Sequence, residues 1–200
     1  MRSEDPRLTE LRSLGARIGT GIYLGPEVYF EKDFAELLTI EDDVVLSQGA
    51  TVLLHDSSLN NLVGAPIRFG AVTLRRRCYI GANSLVMGGV TVGAGALVGA
   101  AALVNVDVPD GAVVYGVPAR VTGTVAELVE RSAADERSDR FFSVDGAAWR
   151  DRSLADDATL GEDIAAAFAE WRAHRSAAPR DDSSVPARSS ERGGTGSETP

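Results

Sequence analysis

Residues 72–121 read VTLRRRCYIGANSLVMGGVTVGAGALVGAAALVNVDVPDGAVVYGVPARV, and from Leu74 every sixth residue is aliphatic: Leu74, Ile80, Val86, Val92, Val98 and Val104. The residues that follow them are Arg75, Gly81, Met87, Gly93, Gly99 and Asn105, half of them glycine. Four places after each aliphatic stand Cys78, Ser84, Val90, Ala96, Ala102 and Val108, all small or modest in size. An amphipathic helix repeats every ~3.6 residues and a half-buried strand every ~2, so a period of six suits neither. It suits a solenoid in which a short strand is followed by a corner. The aliphatic side chain points inward, the small one fills the inside of the corner, and glycine tolerates the turn.

The same spacing recurs upstream. Ile18, Leu24 and Phe30 form one set, with Ile22 and Val28 at the small-residue positions, and Ile40, Leu46 and Val52 form another, with Val44 and Ala50. The sets are out of phase, since Phe30 to Ile40 is 10 residues and Val52 to Leu74 is 22, neither a multiple of six. Each break is therefore expected to be a loop thrown out of the solenoid, and loops on a rigid scaffold are where chemistry tends to sit. The second break, HDSSLNNLVGAPIRFGAV, opens on His55.

Before the repeats, Asp5-Pro6 reads as an N-cap with proline at the first helical position. Leu8, Leu11 and Leu14 then form one face of a short helix stopped by Gly15. After the repeats, Thr124 and Glu127 have capping-box spacing, as do Thr159 and Glu162. The latter pair opens a stretch whose Leu160, Ile164, Phe168 and Trp171 fall on one helical face. From Ser176 to Pro200 the chain is mostly Ser, Arg, Asp, Gly and Pro, which predicts a disordered tail. The expected organisation is an N-terminal helix over 1–16, the solenoid over 17–122, a helical extension over 123–175 and the tail over 176–200.

Composition narrows the function classes. Of 200 residues, 44% are hydrophobic, enough for a core, but only 6% are aromatic against 21 glycines, so that core must be aliphatic and small. The net charge of −9 argues against a nucleic-acid surface. One cysteine excludes an internal disulfide framework and a thiolate zinc site, and two histidines, His55 and His174, leave little for a multi-histidine metal centre. No apolar run approaches the ~20 residues of a membrane span. The first residues carry early acids and no apolar h-region, so a cytoplasmic location is expected.

The stretch quoted above resembles the hexapeptide-repeat acyltransferases, and three segments carry the likeness beyond the period: Tyr79 to Val86, Asp107-Val108-Pro109-Asp110-Gly111, and Gly116-Val117-Pro118-Ala119-Arg120. Upstream, Ser47 to Ser58 (SQGATVLLHDSS) resembles the section in which galactoside and polysaccharide O-acetyltransferases carry their histidine. The resemblance spans about residues 16 to 122. It implies a mainly-β fold, a left-handed parallel β-helix, and an acetyl-CoA-dependent transfer to the hydroxyl or amine of a small, sugar-like acceptor. It also implies a homotrimer with the acyl-CoA lying between neighbouring β-helices. Flat Val- and Ala-rich faces that a partner could cover agree with that assembly.

By the same resemblance His55 is the catalytic base, a side chain of the type that exchanges protons near neutral pH. Asp56 either orients the imidazole, binds the acceptor or caps the loop. Asp33 and Glu36, in the first break, hold acceptor hydroxyls or an amine, or else are solvated. The family's thioester and pantetheine contacts map onto Ala82 and Ala100, through main-chain groups, with the Ala82 amide as a candidate oxyanion donor. Where the family commonly has Thr-Lys before Asp-Val-Pro, this chain has Asn105 and Val106, so the lysine facing the CoA phosphate is missing. Arg120 matches the arginine near the CoA nucleotide. Arg75-Arg76-Arg77 reads as a solvated corner, Cys78 as core rather than nucleophile, and His174 as solvated. No metal is expected. The rival reading is a non-catalytic trimeric hexapeptide scaffold or binding module, favoured by Val106. The carbonic anhydrase of this fold would need three histidines, and the repeats hold one.

Overall fold

A computed structural model of the chain describes residues 4–136, 164–170 and 172–173. The chain divides into two compact units, Met1–Ser138 and Asp139–Pro200. In the first, helix α1 (Pro6–Ser13) precedes a coil made of β1 (Arg17–Ile18), β2 (Tyr23–Leu24) and β3 (Tyr29–Phe30). A 3-10 helix, Lys32–Leu37, leads to a second coil of β4 (Leu38–Ile40), β5 (Val45–Leu46) and β6 (Thr51–Val52). The excursion that follows holds β7 (His55–Asp56), α2 (Ser58–Val63) and β8 (Arg68–Phe69). The third coil is β9 (Val72–Leu74), β10 (Tyr79–Ile80) and β11 (Leu85–Val86), and the fourth is β12 (Thr91–Val92), β13 (Leu97–Val98) and β14 (Leu103–Val104). Strands β15 (Ala112–Tyr115) and β16 (Arg120–Thr124) close the stack, and α3 (Val125–Glu136) leaves it.

Like strands of successive coils pair in parallel, so three faces run the length of the unit: β1-β4-β9-β12, then β2-β5-β10-β13-β15, then β3-β6-β11-β14. This is the parallel β-helix that the period of six predicts. The register stacks like on like: Leu24, Leu46, Ile80 and Val98 on the second face, Phe30, Val52, Val86 and Val104 on the third. From Ile40 onward these inward side chains are at most 1% exposed. The small-residue positions are filled as expected by Val44, Ala50, Cys78, Val90, Ala96 and Ala102, all buried. Ser84 is buried among them and donates its hydroxyl to the Gly81 carbonyl at 2.7 Å, which removes the cost of burying a polar atom there.

Two expectations are corrected. The glycine after the aliphatic is there for close approach, not for a left-handed turn: a Cβ on Gly81 would lie 2.5 Å from the Ala100 nitrogen of the coil above. The left-handed backbone falls two residues later, at Asn83 (φ 55), Arg77 (φ 58) and Gly95 (φ 62). The Val and Ala side chains point mostly inward, so the outward face of the second sheet carries Tyr23, Val45, Tyr79 and Leu97 instead.

Helix α1 covers the open end of the first coil. Asp5 caps it by accepting from the Arg7 amide at 2.9 Å. Leu8 and Leu11 are buried, whereas Leu14 is the C-cap and 44% exposed, off the expected apolar face. Arg7 donates to the Leu24 and Gly25 carbonyls and Arg12 to those of Ile18 and Gly19, groups with no coil beneath to satisfy them. The Thr124–Glu127 capping box forms reciprocally, Glu127 accepting from the Thr124 amide at 2.8 Å and donating its own amide to the Thr124 hydroxyl at 3.2 Å. Residues 164–170 are helical. The Thr159–Glu162 capping box, Trp171, His174 and the 176–200 tail lie outside the described residues. Among the described residues no helix is long and apolar enough to cross a membrane.

Candidate active site

Both breaks in the repeat leave the coil at the corner after the third face, one coil apart, and they meet around His55. Strands β7 and β8 form a two-stranded antiparallel ribbon in which His55 is opposite Phe69 and Asp56 opposite Arg68. Directly opposed residues share a face, so the imidazole and the Phe69 ring stack, 5.9 Å between centroids and 26° between planes. Phe34, from the 3-10 helix of the first break, sets its edge against both, 5.1 Å from the imidazole and 4.9 Å from Phe69.

The carboxylate that faces the imidazole is Glu31. It follows Phe30, which is in register with Val52, so its side chain rises one coil to the start of the second break. Glu31 is only 9% exposed. Its Oε2 accepts from the Leu54 amide at 2.6 Å and the His55 amide at 3.0 Å, while Oε1 contacts His55 Nδ1. Nδ1 is buried and faces Oε1 in close contact, with no aligned hydrogen bond. A carboxylate at Nδ1 favours the tautomer protonated there and leaves Nε2 as the proton acceptor. Sequence reasoning missed Glu31, although the stacking of Phe30 under Val52 was available as a signal.

The other expected residues fall into place unevenly. The Asp56 carboxylate accepts from the Ser58 amide at 2.9 Å, the loop-capping alternative, and these Ser58 hydrogen bonds hold it below the usual carboxylate range, with smaller help from Arg68 and His55. Asp33 and Glu36 are exposed on the 3-10 helix, and the Glu36 Cβ sits beside Gly15 at the end of α1 rather than against the imidazole. Cys78 is buried, and desolvation pushes its thiol up to about 12, which leaves it protonated and inert. Arg75 pairs loosely with Asp110 at 3.4 Å on the surface.

Ala82 and Ala100 stack at the corner between the second and third faces, joined by the Ala101 amide donating to the Ala82 carbonyl at 2.8 Å. Their own amides are open, like that of Gln48 at the same corner one coil earlier. At the corner between the first and second faces, three of the four equivalent N–H groups are taken by carboxylates, Thr20 by Asp42 at 2.7 Å, Arg76 by Glu41 at 2.8 Å and Ala94 by Asp110 at 2.8 Å, while that of Asp42 is open. The amides of Ala82 and Ala100 have no partner among the described residues. The Tyr115 ring closes over the same corner, where a Cβ on Gly99 would lie 2.0 Å from it. Such open donors can take up an acyl or amide oxygen. Asn105 and Val106 are exposed after β14, Val106 to 58%. Arg120 is exposed on β16 and donates to the Ala119 carbonyl at 2.8 Å. Among the described residues no three His, Cys, Asp or Glu side chains converge as a metal site would require.

No family model matches the chain. Over 98 residues it is 36% identical to the Bacillus subtilis (strain 168) protein described as "Putative acetyltransferase YvoF", covering 49% of this chain and 54% of that one. It is 34% identical over 87 residues to the dTDP-3-amino-3,6-dideoxy-alpha-D-galactopyranose 3-N-acetyltransferase of Aneurinibacillus thermoaerophilus, covering 40% and 45%. Against the galactoside O-acetyltransferase of Escherichia coli (strain K12) the identity is 26% over 137 residues, covering 58% and 68%. Among solved structures, serine acetyltransferase from Brucella abortus strain S19 aligns at TM-score 0.44 and 27% identity, over 55% of this chain and 40% of that one. The chain thus spans about half the length of the first two relatives, and over that span it is similar to proteins named as acetyltransferases.

Proposed function

We propose that this chain is an acetyl-CoA-dependent acetyltransferase that acylates the hydroxyl or amine of a small, sugar-like acceptor by direct transfer. The observation that carries the reading is the buried Glu31 carboxylate facing Nδ1 of His55. Nε2 of His55 takes the acceptor's proton as its oxygen or nitrogen attacks the thioester carbonyl. The carbon–sulfur bond breaks, and the imidazolium returns that proton to the departing CoA sulfur. The amide of Ala82 is the donor for the carbonyl oxygen as it gains charge, and that of Ala100 holds the pantetheine arm. Arg120 serves the nucleotide end, with Asn105 and Val106 standing where the resembled family has Thr-Lys. Asp56 acts through its loop, and Asp33, next in the chain to Phe34, flanks the acceptor's approach.

The reading includes a homotrimer, a cytoplasmic location and the left-handed coil of the family it resembles. His55 and the open amides of Ala82 and Ala100 sit at opposite ends of the third-face strands, an arrangement that a neighbouring copy would complete. The names of the sequence relatives, which cover O- and N-acetyltransferases, support acetyl transfer and leave both acceptor atoms in play. Replacing His55 with Ala tests it: kcat for CoA release should fall about 10²- to 10⁴-fold with the KM for acetyl-CoA little changed. A folded His55→Ala protein with wild-type turnover would overturn the mechanism. The scaffold reading draws on Val106, an exposed apolar side chain where the resembled family has a cation. It predicts no thermal stabilisation by millimolar acetyl-CoA.

A further inference from the structure

The rings around His55 are not equally covered. Phe69 is 54% exposed although it stands directly opposite His55, whereas Phe34 is half-buried beneath the pair. The same excursion also exposes Leu59, Leu62, Val63 and Ile67, with Leu62 at 77%. Several exposed apolar side chains on one excursion mark a surface that something covers. Here the surface is continuous with the imidazole, because Phe69, Phe34 and His55 form one ring cluster. Nδ1 of His55 is taken up by Glu31 on the buried side. Holding the ring from that side does not require Phe69 to present half of its surface to solvent.

We propose that Phe69, with Phe34 at its edge, is the platform on which the acceptor lies, so that the acceptor carries an apolar ring flank next to its reacting hydroxyl or amine. Stacking on Phe69 removes apolar area from water and fixes the acceptor beside Nε2, so binding and positioning come from one contact. A linear polar acceptor gains nothing from this surface. Phe69 is on this account a specificity-determining residue. The inference rests on the reading of His55 as the base, and its test separates the two.

The probes are phenyl and methyl β-D-glucopyranoside, which share their hydroxyls and differ in the apolar flank. Binding to the full chain is measured by titration calorimetry and saturation-transfer NMR without acetyl-CoA, and turnover as CoA release with it. The wild type should bind the phenyl glucoside at least tenfold more tightly than the methyl one. Phe69→Ala should abolish that preference and raise the acceptor KM about tenfold, and Phe69→Trp should restore it. If Phe69 only props the imidazole, Phe69→Ala will lower kcat with both glucosides and leave the preference intact, which overturns the proposal. If a second copy covers the patch, Phe69→Ala will shift the assembly in light scattering, which overturns it equally. A wild type without preference between the glucosides, or with no measurable binding of either, also overturns it. Turnover that survives His55→Ala while the phenyl preference remains would cancel the base and leave the platform.

Discussion

Glu31 is the position where folding and chemistry can be pulled apart, because its two oxygens have different tasks. Oε2 accepts from two main-chain N–H groups, Leu54 at 2.6 Å and His55 at 3.0 Å, and Oε1 faces the imidazole. In Glu31→Gln the amide oxygen can keep both main-chain bonds, which places the NH₂ group opposite Nδ1. That group can only donate, so the imidazole must take the tautomer with its proton on Nε2, the nitrogen meant to accept. Stability should then change by no more than about 1 kcal/mol, the difference between a charged and a neutral acceptor. The value of kcat should nevertheless drop about 10²- to 10⁴-fold, as if the base were gone. Glu31→Ala strands both N–H groups, at about 1–3 kcal/mol each, and Leu54 is fully buried. Solvent reaching the partly exposed His55 amide softens the second loss, so we expect about 2–4 kcal/mol. Urea unfolding measures one quantity and CoA release the other. Wild-type turnover in Glu31→Gln, or equal destabilisation by Gln and Ala, would refute the division of labour between the two oxygens.

The two kinds of glycine should also separate. Gly95→Ala enters open space at φ 62 and should cost about 1–2 kcal/mol of left-handed strain, whereas Gly81→Ala puts its Cβ 2.5 Å from main-chain Ala100 and should cost about 3 kcal/mol or more. Because it also spreads the two open amides, Gly81→Ala should weaken acetyl-CoA binding, which Gly95→Ala should leave unchanged; equal urea midpoints would refute close approach as the reason for Gly81. Cys78 makes the protein alkali-sensitive: its thiol stays protonated to about 12 when folded but ionises from about 8.5 when unfolded. Its contribution is complete below about pH 8.5 and is lost as pH rises through about 12, so stability should fall by about 2 kcal/mol between pH 8.5 and 10.5. Cys78→Ala should lack that slope, and an identical slope in both proteins would mean the thiol is not desolvated.

The period of six in residues 74–104 was sufficient to specify the three faces, because an aliphatic side chain at each sixth place has one inward position available in a coil of short strands. The two breaks in phase likewise located both excursions, and the histidine at the mouth of the second was legible as the one candidate base in the repeats. What meets that histidine was decided by tertiary structure. Glu31, Phe34 and Phe69 are brought together by the stacking of one coil on the next and by the antiparallel ribbon of the excursion, which lies outside the repeat. Asp56, adjacent in sequence, turned to Ser58 because a short carboxylate finds the amide two residues on more readily than a ring on the same strand. The glycines carry the same lesson. Composition marks Gly81 and Gly95 alike, yet only the spacing of neighbouring coils makes one a place of backbone contact and the other a place of left-handed turn. Burial of an aliphatic side chain is a local demand that a pattern can encode. The partner of a polar group depends on which coils come to lie one above the other.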